Sequence, residues 1–196
     1  MVTTSSRPRA RASAQDRRDD VALARAAALG DRRAFEEIVT RHGPSLTRYA
    51  QRAVSDRGEA EDLVQEALVA AWRSLDRFDG RSALRTWLFG ILAHKIASAR
   101  RRRSAVPVED ERLDRPVEDG PGDPVRHASD TELRAALEAA LRTLPERQRS
   151  VWVLVEVEGL SQPEVAEVLR TTPDAVRGQL FRARRSLVEE MRQWRT

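Results

Sequence analysis

The sequence predicts an all-α protein: two small helical domains joined by a flexible acidic linker, the second containing a helix-turn-helix. Three observations predict it. Apolar residues recur at helical spacing through two blocks, 20–103 and 129–196. Between them, 104–128 carries Pro107, Pro116, Pro121 and Pro124 with seven acidic residues against three arginines. No stretch alternates apolar and polar residues as a half-buried strand does. At ~100–200 residues per domain, a 196-residue chain has room for one domain or two small ones.

The elements follow in order. Residues 1–19, rich in Arg and Ser and without periodicity, read as a disordered arm. Helical spacing starts at Asp20. Gly30 ends the first helix and Asp31 is placed to cap the second. Gly43-Pro44 is expected to kink or break that second helix, because proline lacks the N–H and clashes with the preceding turn. A third helix begins with "EDLVQEALVAAW" (61–72), "FDGRS" (78–82) is a loop, and a fourth helix covers 83–103. After the linker, Ser129 and Glu132 form a capping box for a helix running to 144, and another covers 145–158. Ser161 and Glu164 form a second box opening a short helix to Leu169. Thr172-Pro173 then caps and starts the last helix.

Composition excludes several functions. The formal net charge is +4, the isoelectric point is near 10.6 and the mean hydropathy is −0.58. No apolar run approaches the ~18–20 residues of a membrane helix, and the N-terminus has no secretory pattern. Without cysteine there are no disulfides, thiolate metal sites or thiol nucleophiles. His42, His94 and His127 lie too far apart to suggest a metal site. No cofactor or small-molecule substrate is expected, and the reducing cytoplasm is the expected location.

Three helix faces carry the functional reading. On the third helix, Ala60, Leu63, Val64, Ala67, Leu68, Ala71, Trp72 and Leu75 form an apolar stripe at ~100° per residue. Asp62, Gln65, Glu66, Val69 and Arg73 gather opposite, which fits a solvated face or a contact surface equally in kind. The fourth helix turns Leu84, Trp87, Leu88, Ile91 and Leu92 inward. Around it lie Arg81, Arg85, His94, Lys95, Ser98 and the run 100–103; such a run also suits the negative end of a helix dipole without any ligand. In the last helix Val176, Leu180, Ala183 and Leu187 make a narrow stripe. Asp174, Arg177, Gly178, Phe181, Arg182 and Arg185 occupy the outer arc. An arginine-laden second helix after a three-residue turn (170–172) suits the DNA major groove, with arginines for phosphates and guanine edges.

Taken together, "AEDLVQEALVAAWRSLDRF", "SALRTWLFGILAHKIASARRRR" and "LPERQRSVWVLVEVEGLSQPEVAEVLRTTPDAVRGQLFRARRSL" resemble a bacterial RNA polymerase sigma factor of the extracytoplasmic-function (ECF) group. The resemblance covers about 20–103 and 129–193. It implies a transcription initiation factor that brings core RNA polymerase to promoters by reading −35 and −10 elements and assisting melting. By the same resemblance Asp62, Gln65 and Glu66 dock on the polymerase clamp coiled coil, with the flap as a further contact. The −10 strand falls to Arg81, Ser82, Arg85, His94, Lys95, Ser98 and Arg101, with the loop 79–83 holding a flipped-out base. Trp87 is read as core. The −35 element falls to Arg177, Gly178, Gln179, Phe181, Arg182, Arg184 and Arg185. Gly178 and Gln179 stand where Ser and Arg are common in the family, so base preference cannot be carried over. Arg170 stands in the turn where glycine is frequent, and a left-handed backbone there would carry a strain cost. An anti-sigma partner is also implied. The acidic linker fits either spacing or passage through a basic polymerase channel.

Two rival classes stand beside this reading. A helix-turn-helix regulator would share the last domain but need neither "DLVQE" nor the second basic helix. A DNA-acting enzyme would need a nucleophile or carboxylate cluster, and neither Asp62 with Glu66 nor the lone Tyr49 has the basic companions for it.

Overall fold

The computed structural model describes residues 14–105 and 124–192, in which the order is α1 (Ala14–Ala28), α2 (Arg32–Ala53), α3 (Arg57–Ser74), α4 (Leu84–Ala105), α5 (Pro124–Thr143), α6 (Glu146–Trp152), α7 (Gln162–Val168) and α8 (Pro173–Glu190). A 3₁₀ turn, Leu75–Arg77, closes α3, and a π turn, Val153–Val157, extends α6. No strand occurs among the described residues. The part of the expected linker at 106–123 lies outside them.

Local chemistry fixes the helix ends. Gly30 adopts φ +96, which a side chain resists, and α1 stops there. Asp31 accepts from the amides of Arg33 (2.9 Å) and Ala34 (3.2 Å), a cap of the kind that stabilises by ~0.5–2 kcal/mol. At α7, Ser161 and Glu164 form the expected capping box in both directions. The Thr172 hydroxyl accepts from the Ala175 amide at 3.2 Å, with Pro173 at the first helical position.

Four expectations change. The first helix begins at Ala14, inside the segment read as an arm, and its buried Asp20 reaches Arg41 (3.0 Å) and His42 (3.1 Å) on α2. The second helix runs through Pro44 without a break. Proline removes a single backbone donor, while Ile38, Leu46, Tyr49 and Ala50, on both sides of it, are almost wholly buried. The third helix starts at Arg57, capped by Asp56, whose carboxylate accepts from the Glu59 amide at 2.7 Å. Finally, α5 starts at Pro124, so Ser129 lies within the helix instead of capping it.

In the N-terminal half, α2 packs on both α1 and α3, and α4 closes the bundle against α3. Phe35 meets Trp72 edge-on at 5.0 Å, Tyr49 meets Phe89 edge-on at 5.7 Å, and Phe78 lies tilted on Trp87 at 5.5 Å. Trp87 is partly buried against the core, as expected of it. In the C-terminal half, α6 and α7 pack on α8, while Ala140 and Leu141 of α5, with Leu144 just after it, form a smaller cluster with Ala183 and Leu187. The larger cluster crosses between the halves, joining Tyr49, Leu88 and Leu92 to Val151, Leu154, Val165 and Leu180.

Candidate functional site

The acidic face of α3 is built by simple phase. Leu63, Val64 and Ala67 are buried, so Asp62, Gln65 and Glu66 are turned outward, and all three are exposed. Val69, half exposed, continues the same face by one turn. Glu66 pairs with Lys95 of α4 at 3.0 Å, both side chains remaining in part solvated. Glu61, beside this face, pairs with Arg57 one turn back at 3.1 Å. Glu59, in the first turn, is bound by Arg103. Asp62 and Gln65 are therefore open to a partner, and Glu66 carries a cation it can exchange.

The α3–α4 loop is set by Asp79. Its carboxylate accepts from the Arg81 amide (3.0 Å) and the Arg81 guanidinium (2.6 Å). The amide hydrogen bond is the main reason its carboxyl stays below the usual carboxylate range. Gly80 has φ +74, a left-handed conformation that glycine adopts without strain. Arg81 is thereby held exposed at the loop tip, with Ser82 half-buried beside it.

Along α4 the expected strand-binding residues divide. His94 and Arg101 are exposed. Arg101 donates to the Ser98 hydroxyl at 2.8 Å, so these two form one polar unit. Lys95 is drawn to Glu66 as described. Arg85 is turned away altogether: its guanidinium donates to the Glu158 carboxylate at 3.0 Å and to the Glu158 carbonyl at 2.6 Å, and lies over the Phe89 ring at 5.3 Å. In this arrangement Arg85 is a bridge between the halves.

On α8, burial of Val176, Leu180, Ala183 and Leu187 turns Arg177, Phe181, Arg182, Arg184 and Arg185 into solvent. Phe181 is 67% exposed, an unusual position for an aromatic ring and one suited to a nucleic-acid surface. Gly178 and Gln179 are half-buried. Arg177 holds Asp174 at 3.0 Å, and Arg184 binds Glu156 of the π turn. Arg170, in the turn before α8, has φ 50, so the strain cost of a left-handed backbone applies there.

Glu164 links the helix-turn-helix to α4. Burial alone would raise its carboxyl, but the hydroxyl and amide of Ser161 and the hydroxyl of Thr86 hold it below its ordinary value. A cleft of about 740 Å³ opens between the halves, lined by His94, Arg100 and Arg101 of α4 and by Arg147, Arg170 and Gln179 of the other half.

Two residues escaped sequence reasoning. Glu158, whose side chain is wholly buried, receives Arg48 of α2 at 3.1 and 3.2 Å as well as Arg85. Its partners stand 110 and 73 residues earlier, and no local pattern announces a contact at that separation.

The model of Sigma-70 region 2 matches residues 38–106, and that of Sigma-70 region 4 matches 134–187. The RNA polymerase sigma factor NccH of Alcaligenes xylosoxydans xylosoxydans is 37% identical over 86% of this chain and 92% of its own. The ECF RNA polymerase sigma-E factor of Escherichia coli K12 is 32% identical over 81% of this chain and 86% of its own. The chain belongs to the ECF sigma factors. This ECF sigma factor also resembles, at 27% identity and a TM-score of 0.64, the sigma factor RpoE of Bartonella quintana, solved in complex with the anti-sigma factor NepR; the match covers 81% of this chain and 96% of that one. Sigma factors direct RNA polymerase to promoters, so the ECF sigma factor is a DNA-binding transcription initiation factor. The helix-turn-helix regulator is not favoured. No helix among its described residues is long and apolar enough to cross a membrane.

Proposed function

We propose that this ECF sigma factor divides its work between an N-terminal unit, 20–103, and a C-terminal unit, 129–196. The N-terminal unit docks on the clamp coiled coil of core polymerase through Asp62, Gln65 and Glu66 and takes up the −10 strand. Its loop residues Arg81 and Ser82 receive the flipped-out base, while His94, Lys95, Ser98 and Arg101 follow the backbone. Melting costs ~1–2 kcal/mol of stacking per base-pair step, and capture of a base in a fitted pocket offsets part of it. Arg85 joins the strand contact only after leaving Glu158. The C-terminal unit inserts α8 in the major groove at −35, with Arg177, Gln179, Phe181, Arg182, Arg184 and Arg185 toward bases and phosphates and Gly178 allowing close backbone approach.

The observation that carries this reading is the separation of charge by surface. Asp62, Gln65 and Glu66 are exposed together on one face of α3, while Arg81, His94 and Arg101 are exposed on the 79–83 loop and α4 and Arg177, Arg182, Arg184 and Arg185 on α8. An acidic patch would repel phosphates and suits a basic protein partner. We further propose that the protein works in the cytoplasm, has no catalytic activity of its own, and is held inactive by an anti-sigma protein.

The test is transcription in vitro: the purified chain with core polymerase and fragmented host DNA, followed by sequencing of initiated transcripts. Transcripts sharing paired upstream motifs are expected. Duplex binding without initiation or polymerase binding would replace this reading with that of a regulator.

A further inference from the structure

We propose that α1 adds a phosphate-binding edge to the −10 surface, carried by Arg18 and Arg25 with Arg17 beside them. The inference rests on the assignment of the −10 strand to the 79–83 loop and deepens it, because it names a contact outside both that loop and α4.

Packing sets the rotation of the helix. Asp20 is buried against Arg41 and His42 of α2, and Ala24 and Ala27 are buried on the same side. At ~100° per residue the opposite arc carries Arg18, Ala22 and Arg25, with Arg17 and Val21 on one flank and Asp16 and Asp19 on the other. Arg17, Arg18 and Arg25 are all exposed. Val21 is where this flank meets the loop. A Cβ at Gly80 would lie 3.8 Å from the Val21 side chain, and the 3₁₀ turn that leads into the loop packs on α1. The arginine arc therefore borders the loop that holds Arg81.

The neighbouring cations are already engaged. Arg81 is held by Asp79, Arg85 by Glu158, Lys95 by Glu66 and Arg103 by Glu59. A strand must displace a carboxylate before it gains any of these charges. No ion pair among the described residues engages Arg17, Arg18 or Arg25. Arg17 does lie near enough to Glu164 to help hold its carboxyl down, which leaves Arg18 and Arg25 as the principal pair. Local stability does not account for them either. Arg17 and Arg18 stand near the N-terminal end of α1, where the helix dipole disfavours a cation.

Continuity with the loop and the spacing of charge select a nucleic-acid backbone as the occupant. Seven residues of helix separate Arg18 from Arg25 by ~10 Å along the axis, the rise of about three phosphates at ~3.4 Å each. Such a contact adds affinity and positions the strand without reading its bases.

The test uses the full chain bound to core polymerase and a dye-labelled promoter fragment with an unpaired −10 segment, taken from the transcription assay above. Affinity is measured by anisotropy across a salt series. Losing two single-strand phosphate contacts should reduce the salt slope by ~1.4, so a fourfold drop in salt widens the gap between wild type and the Arg18→Ala, Arg25→Ala double variant by about sevenfold. Alanine favours helix, so the variant should keep native circular dichroism. The Arg32→Ala, Arg33→Ala double variant removes the same charge from exposed positions at the start of α2 and should follow wild type. Equal slopes for wild type and the α1 variant overturn the proposal. So does an equal loss in the α2 variant, which would make the effect one of net charge. A loss of affinity for core polymerase without DNA would assign the arc to the enzyme and overturn it too. In all three cases the wild-type complex still binds the fragment and initiates, so failure of the arc is distinct from failure of the initiation reading, in which the wild type itself does neither.

Discussion

Reversing Glu66 to arginine separates docking from folding. The Glu66 and Lys95 side chains are 49% and 32% exposed, so their 3.0 Å pair is worth ~0.2–1 kcal/mol. Reversal removes this attraction and sets two cations side by side, a further cost of similar size. The folding loss is then about 1–2 kcal/mol, against the ~5–15 kcal/mol typical of a domain. For a chain of this size it lowers the melting midpoint by about 2–8 °C. On the proposed docking of α3 against a basic partner surface, the same change sets like charges against each other. Breaking a desolvated interfacial charge contact costs ~2–5 kcal/mol, which is roughly 30-fold to several thousand-fold in affinity. Fluorescence anisotropy with core polymerase measures the affinity, and circular dichroism measures the melt. A Glu66→Arg chain that stays folded yet binds core polymerase within threefold of wild type would remove the α3 face from the docking reading.

Three further outcomes follow from local geometry. Ser161→Ala removes one side of the α7 capping box and should lower stability by about 1 kcal/mol in a denaturant titration, with α8 losing DNA affinity at temperatures near the melt. Glu164 has a folded carboxyl below its ordinary value of 4.5, so its contribution is complete above that pH and is lost as pH falls through the folded value. The stability gap between wild type and Glu164→Gln should accordingly narrow in acid below about pH 4.5, as followed by urea unfolding. Replacing Arg170 by glycine relieves a left-handed backbone worth ~1–2 kcal/mol, offset by the extra unfolded-state entropy of glycine, for a net gain of up to about 1 kcal/mol in thermal denaturation.

What the sequence made legible was governed by short-range rules. The caps at Asp31, Ser161 and Thr172 and the phase of α3 and α8 all depend on residues within one or two turns. The failures came where the fold departed from a local signal. Pro44 reads as a break, yet burial of the residues around it keeps α2 continuous. Ser129 with Glu132 reads as a helix start, yet α5 is already helical five residues earlier, at Pro124. Arg85 shows the same limit at the candidate site. Its exposure along α4 follows from helical phase, but only the fold brings Glu158 to it. Likewise Phe89 escaped the inward stripe assigned to α4, although it is fully buried against Tyr49.

The π turn at 153–157 has a consequence for which insertions and deletions this family member can tolerate. The Glu158 amide bonds back five residues to Val153 at 2.9 Å, and the widened turn buries Val153, Leu154 and Val155 in succession. A π turn absorbs one extra residue over nearly the same rotation as a regular turn, so deleting a single residue here would restore regular winding and leave the direction downstream nearly unchanged. Glu158 would stay turned toward Arg48 and Arg85, whereas a deletion in the regular part of α6, Glu146–Trp152, would turn it by ~100°. The chain therefore tolerates a change of length at this turn better than in the helix before it.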